Sequence, residues 1–473
     1  MAFVKAKCYN LKKSQGVRNM LKKVDATQGS MIKAIFTFSI PMILAAIAQD
    51  LFTVADKAVL GQMAGNGELA AVGATGAITS LIINGAIGIS SGTTIVLARF
   101  WGQKDKEKIR STIDTALITG VGFGVIVAIV GFFLAPIFLK ATSCPTECFD
   151  GALLYIRIYL SAAPITLFYN YGSSVLRTMG DTQRPLIYIL LGGVVNVILN
   201  VILCLILPQK VVAVAIATVA SKLVGGLLVA RRLCRLEEDY ARVVIRKMRF
   251  DFHSFVRIFR FGIPTAISNL VLPLGNLQIT SAINSYGIEA IAGNSASLSV
   301  NNVAYAFATG FSTATSTFMG QNIGAKKPSR VKKAFWCSTT LNVLICGLVG
   351  VIMFLSGRFW LGLIVGFDEV NAINYGMIRL SYVCAFVFVH AINSSFGGAI
   401  QAFGYTGIRS ISNVAFNLGF RVIWMQFIYP LNQTFGMVMQ CFLVSWILNM
   451  TFYAVLFTII YIRYIKKGIC KRV

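Results

Sequence analysis

The chain has 473 residues and a net charge of +26, yet 56% of its residues are hydrophobic and only 13% are charged, with a mean hydropathy of +0.73. A soluble domain carries about 25% charged residues, so this balance excludes a soluble enzyme or a soluble basic module for nucleic acid. Long apolar blocks such as Leu186–Leu207 and Leu341–Leu355 predict helical spans, because a membrane barrel alternates in short segments instead.

Residues 1–33 form a basic N-terminal stretch (Lys5, Lys7, Lys12, Lys13, Arg18, Lys22, Lys23) with no cleavage pattern, which predicts a cytoplasmic tail, either solvated or touching an anionic leaflet. Twelve spans follow: 34–60, 69–98, 112–139, 152–176, 185–207 and 211–234, then 256–284, 289–318, 334–356, 372–402, 409–430 and 436–462. The loops between them are alternately basic and nearly free of Lys and Arg. RFWGQKDKEKIR, RTMGDTQR, KKPSRVKK and the tail 463–473 all fall on one side, so the positive-inside rule puts both termini in the cytoplasm of a cell membrane. Residues 235–255, RLEEDYARVVIRKMRFDFHSF, divide an N-lobe (34–234) from a C-lobe (256–462); their mix of Arg, Lys, Phe and Val predicts an interfacial helix, with a solvated linker as the plainer reading.

The first span, from Ile40 to Gly61, carries Asp50, Asp56 and Lys57 in or near its outer end. Charges inside a membrane are costly and usually functional. Gln49, Phe52, Thr53 and Asp56 fall at i, i+3, i+4 and i+7, so one helical stripe presents an amide, a ring, a hydroxyl and a carboxylate to a substrate cleft. Pairing of Asp56 with Lys57 near the interface is the structural alternative. Asp50 lies about 10 Å from Lys57 along the helix and is a second candidate. Pro41 gives the helix a place to bend. Arg157, Arg379, Arg421 and His390 sit in apolar blocks, either lining the cleft or bonded to carbonyls. Of the ten cysteines, Cys204, Cys337, Cys346, Cys384 and Cys441 fall in spans as packing residues, while Cys144 and Cys148 in SCPTEC read as loop-borne, as a disulfide or as two thiols.

The two halves repeat. IFTFSIP ending at Pro41 returns as IFRFGIP ending at Pro264, ELAAVGATG at Glu68 as EAIAGNSAS at Glu289, ARFWGQ at Ala98 as the GQNIGAKK turn at Gly320, and MGDT around Gly180 as FGYT around Gly404. The offsets are 223 (264 − 41), 221 (289 − 68), 222 (320 − 98) and 224 (404 − 180). Six spans return the chain to its starting side, so the copies share an orientation and are related by a pseudo-two-fold along the membrane normal. The fold class expected is therefore an all-α polytopic membrane protein, twelve transmembrane helices in two six-helix lobes around a cleft.

Taken in order, IPMILAAIAQDLFTVADKAVLGQMAG, ELAAVG, the glycine turns FWGQKDKEKIR and GQNIGAKKPSRVKK, GDTQRP and VVNVILNVIL resemble the MATE family, the multidrug and toxic compound extrusion transporters, over about residues 30–465. The resemblance implies an antiporter that exports cationic or amphiphilic drugs or metabolites by alternating access against inward H+ or Na+. Asp56 matches the family's coupling aspartate, Gln49 a cleft position, Asn196 and Asn200 the polar pair of the fifth span, and Thr218 a threonine of the sixth. Asn196 and Asn200 share a helix face, as ion ligands or as interhelical glue; Thr218 is a ligand or bonds its own backbone.

Two departures bear on the ion: Asn200 stands where the family often has a second acid, and Lys57 adds a cation. A lone carboxylate favours a proton, since burial disfavours its charged form, whereas Na+ would draw on the oxygens of Asp56, Asn196, Asn200 and Thr218. No acid lies in the seventh span between Ile263 and Ile283. No catalytic residue, cofactor or resident metal is expected, and the partners expected are the bilayer and small organic cations, with no nucleic acid, for a monomer. The main rival is a flippase for a lipid-linked saccharide, which needs cationic groups in the cleft; Arg157 and Arg379 favour it, and twelve spans with Asp56 oppose it. A polyprenyl transferase would need acid clusters for Mg²⁺, and an ATP-driven pump a GxxxxGK[ST] loop.

Overall fold

A computed structural model describes residues 23–63, 65–141 and 146–467, and all the regular structure among them is helical. The first half contains α1 (Met31–Met63), α2 (Gly65–Gln103), α3 (Lys106–Ala141), the bent pair α4 (Thr146–Ser161) and α5 (Ala163–Thr178), α6 (Gln183–Ile206) and α7 (Lys210–Leu233). The second half contains α8 (Phe252–Asn284), α9 (Ile288–Gly324), α10 (Pro328–Leu355) with a short α11 (Gly357–Val365), the bent pair α12 (Val370–Val383) and α13 (Val387–Ala402), α14 (Thr406–Val414) continued through π turns and α15 (Phe420–Ile423), and α16 (Phe435–Lys467). Together they make twelve spans in two six-helix lobes.

Seven of these helices are long and apolar enough to cross a membrane by themselves, and nine spans qualify when each bent pair is taken as one. Two of the three exceptions have a physical reason in their sequence. In α9 the polar residues Asn294, Ser297, Asn301, Thr315, Gln321 and Asn322 are buried inside the bundle, which makes the helix less apolar than its neighbours. Beyond α14 the two π turns, 415–419 and 424–428, keep the span from being one long helix and turn Asn417 and Arg421 inward. Pro41 leaves α1 unbroken.

The repeat is written into the backbone. The bent pairs break by 47° and 46°. Gly180 and Gly404 take φ of 86° and 84°, and Lys104 and Lys326 take φ of 59° and 55°, the latter two at an offset of 326 − 104 = 222. The same offset governs the contact between lobes. α2 packs along α8, and α9 packs along α1. A Cβ on Gly102 would stand 2.0 Å from the Gln321 carbonyl oxygen, and one on Gly324 would stand 2.1 Å from that of Arg99. Only glycine permits backbones this close, which is why Gly102 and Gly324 hold the same place in the two turns (324 − 102 = 222).

These inter-lobe contacts gather at the end of the bundle that bears the basic loops. There Arg99 donates to the Ala402 carbonyl at 2.8 Å and Gln321 to that of Thr178 at 2.6 Å. At the far part of α1, by contrast, Leu51 and Val54 are 63% and 59% exposed. The bundle is closed at its basic end.

Three expectations need correction. The segment 235–255 does not form an interfacial helix; up to the start of α8 at Phe252 it runs in turns with one 3-10 turn at Ile245–Lys247, because its apolar residues lack helical spacing and Leu236, Ala241 and Val243 instead bury themselves in the N-lobe core. The basic tail is not wholly free: residues 23–30 lie across the closed end, where Val24 N–H donates to the Gly180 carbonyl and Asn322 to the Ala26 carbonyl. Residues 1–22 lie outside the described residues. Cys148 is buried within α4, not loop-borne, and Cys144 lies outside the described residues.

Candidate functional site

α1 brings Gln49, Phe52, Thr53 and Asp56 onto one face, as the spacing predicts, and all four line a cavity of about 200 Å³ inside the N-lobe. α6 and α7 form its opposite wall. Asn200, fully buried, donates from Nδ2 to Asp56 Oδ1 at 2.5 Å and reaches Asn196 Oδ1 at 3.3 Å, so one amide ties the carboxylate of α1 to α6. Asn196 and Thr218 line the same cavity. The Thr218 hydroxyl donates to the Val214 carbonyl at 2.9 Å, and that of Thr53 donates to the Gln49 carbonyl at 3.0 Å; both satisfy their own helix first. Phe52 seats its ring against Gly193.

Asp50 is exposed and does not line the cavity, and nothing is described of the Lys57 side chain. The charged partner that the structure puts in the cavity is Lys222, close enough to Asp56 for the two charges to act on one another. Sequence reasoning missed it. Thr218, Ser221, Lys222 and Gly225 recur at i, i+3, i+4 and i+7 and all line the cavity, so the rule that found the stripe on α1 would have found this one on α7. The aromatic wall was missed as well: Tyr155, Tyr159, Tyr169 and Tyr188 surround the polar floor, with Tyr155 and Tyr159 stacked at 6.1 Å. Faces of this kind suit an organic cation.

The other intramembrane cations sit elsewhere. Arg157 lies over the Phe132 ring at 4.5 Å. Arg379 donates to Asn294 Oδ1 at 2.6 Å and lies over Phe442, whose ring also lies under Arg421 at 4.5 Å. His390 packs between Tyr305 and Trp446. Among the described residues no cluster of His, Cys, Asp and Glu could hold a metal ion.

The MatE family model matches residues 41–202 and again 264–427, two copies whose starts differ by 264 − 41 = 223 residues, which is the internal repeat. The chain belongs to the MatE family. It is 25% identical over 388 residues to the probable multidrug resistance protein YpnP of Bacillus subtilis, spanning 81% of this chain and 85% of that protein. It is 27% identical over 318 residues to the FAD transporter of Shewanella oneidensis, spanning 65% and 68% of the two chains. A crystal structure of MATE in complex with MaL6 superimposes with a TM-score of 0.85 at 22% identity, covering 93% of this chain and 99% of that one. This is a multi-pass membrane transporter of the MATE type.

Proposed function

We propose that the chain is a secondary antiporter of the cell membrane that exports cationic, amphiphilic small molecules by alternating access, driven by inward movement of a proton through Asp56. The observation that carries this reading is a carboxylate held by Asn200 inside a tyrosine-walled cavity that also contains Lys222. When Asp56 is ionised it attracts a substrate cation, in competition with Lys222; when it is protonated that attraction is gone and the substrate leaves. One acid thus serves proton and cation in turn.

The preference for a proton over sodium rests on the amides. Asn200 turns its nitrogen toward Asp56, and Thr218 is engaged with its own backbone, so few oxygens converge on the carboxylate for a hard cation. With the basic loops in the cytoplasm, the closed end faces inward and the cavity belongs to an outward-open state, acting in a monomer. The lipid-linked saccharide flippase is less favoured, since Arg157 and Arg379 rest on aromatic rings and line neither this cavity nor the one described below.

The test is dye uptake into inverted vesicles under imposed proton or sodium gradients, comparing wild type with Asp56→Asn. Proton-driven uptake is expected, and its loss by about a hundredfold in the variant. Full activity of Asp56→Asn sinks the coupling role, and dependence on sodium alone overturns the choice of ion.

A further inference from the structure

A second cavity, of about 240 Å³, opens between α2, α8, α9, α13, α14 and α16, and its chemistry is the reverse of the first. Among the described residues no Asp or Glu lines it, Arg409 is its one formally cationic side chain, and Tyr453 its only Tyr, Phe or Trp. The rest of the wall is hydroxyls and amides. Several of these are buried with a polar atom left unpartnered: Ser268 Oγ, Ser316 Oγ, Asn393 Oδ1 and Asn417 Oδ1, on residues 4%, 5%, 6% and 4% exposed. His390 Nδ1 and Arg409 Nε are likewise without partners.

A buried polar atom left unpaired is costly, and native interiors hold few of them. Six of them belong to side chains that line this one cavity. The guanidinium is also held in place. Arg409 donates to Gln401 from Nη1, its Nε lies over Gly397, where an added Cβ would meet it at 3.1 Å, and its carbonyl accepts from the Tyr453 hydroxyl at 3.1 Å. A fixed guanidinium with a free Nε–H and no carboxylate near it is complementary to an oxyanion. The amide oxygens and serine hydroxyls around it are complementary to hydroxyl groups.

We infer that this cavity is a second binding site, for a small hydroxyl-bearing organic anion whose carboxylate is held by Arg409 and whose hydroxyls meet Asn393, Asn417 and the serines. It is distinct from the Asp56 cavity and stands whether or not Asp56 carries the proton. The two lobes, duplicated in backbone, have diverged to opposite polarity.

The probe is gluconate, with glucose as the neutral analogue and chloride as the ionic-strength control, and the readout is the thermal unfolding midpoint of the full chain in detergent. Gluconate is expected to raise the midpoint where glucose and chloride do not, because a ligand that binds only the folded state stabilises it. Arg409→Gln is expected to weaken the apparent affinity by about tenfold or more. Asn393→Asp, which puts a carboxylate in the cavity with little change of volume, is expected to do the same, and keeps the test available should Arg409→Gln fail to fold. Asp56→Asn is expected to respond like the wild type. The proposal is overturned by no response of the wild type to millimolar gluconate, by an equal response to glucose or chloride, or by an undiminished response in the folded Arg409 and Asn393 variants.

Discussion

Lys222 changes the meaning of Asp56. A single acid in a membrane helix invites a cation, but here a lysine on α7 shares the cavity, so the site offers nearly balanced charge rather than a bare negative one. An organic cation has to displace Lys222 from the field of Asp56 before it gains the full attraction. Lys222→Met should therefore tighten binding of a monovalent fluorescent cation by about tenfold, roughly 1.4 kcal/mol, as read by equilibrium titration in detergent; unchanged or weaker binding shows that Lys222 does not compete. Much of this site was legible beforehand, because a charge in an apolar run and a 3.6-residue period need no partner to be seen. Gln49, Phe52, Thr53, Asp56, Asn196 and Thr218 do line one cavity, and Asn200 does bond Asp56. The pairing across helices was not legible. Lys57 is next to Asp56 in sequence, and adjacency drew attention to it, while Lys222 comes near only when α7 folds beside α1.

Among the elements, α8 depends most visibly on the residue that caps it. Asp251 is its N-cap: the carboxylate accepts from the His253 and Ser254 amides at 3.1 Å, from the Ser254 hydroxyl at 2.7 Å and, across to α3, from the Ser111 hydroxyl at 2.8 Å. The Ser254 and Ser111 hydroxyls, with the two amides, pull its carboxyl down from the ordinary 3.8 to about 2. A carboxyl held lower in the folded chain than in the unfolded one stabilises the fold above the unfolded value, and that contribution is lost as pH falls through the folded one. Asp251→Ala should therefore cost about 1–2 kcal/mol at neutral pH, with a lower melting midpoint than wild type. The gap between the two should shrink as pH drops from about 4 toward 2; a gap independent of pH refutes the role. The apolar blocks made the spans themselves legible, though the helices run several residues further than the hydropathy, since polar residues at their ends still complete the backbone ladder. The linker before α8 was misread because its composition suits an interface helix while its apolar residues are spaced for turns.

At the scale of the whole molecule, the duplicated turns act as a latch. Arg99 and Gln321 are equivalent in the repeat (321 − 99 = 222), and so are their acceptors Thr178 and Ala402 (402 − 178 = 224), so each lobe reaches with the same position to the same position of the other. The repeat was visible in the sequence as glycine-bearing and MGDT-like turns, but that those turns meet one another across the lobes was not. A sequence offset reports common ancestry of two segments, whereas their contact follows from the two-fold axis passing between them. Residues 23–30 add a strap tied to Gly180 on one lobe and to Asn322 and Arg330 on the other. Because these bonds exist only while the basic end is closed, removing them should favour the opposite state of the alternating cycle. At about 1 kcal/mol for each net hydrogen bond, Arg99→Ala and Gln321→Ala should each shift the closed-to-open ratio about fivefold. The double variant should shift it by about the product, the two bonds sharing no partner. Spin labels on Glu107→Cys and Ser329→Cys, exposed and equivalent positions at the starts of α3 and α10 in a cysteine-free background, measure the separation of the lobes there. The population at the short distance should fall in each single variant and fall further in the double. A distribution unchanged by either substitution means the close packing of Gly102 and Gly324 holds the end shut without the latch, and bulk added at those glycines would then be what opens it.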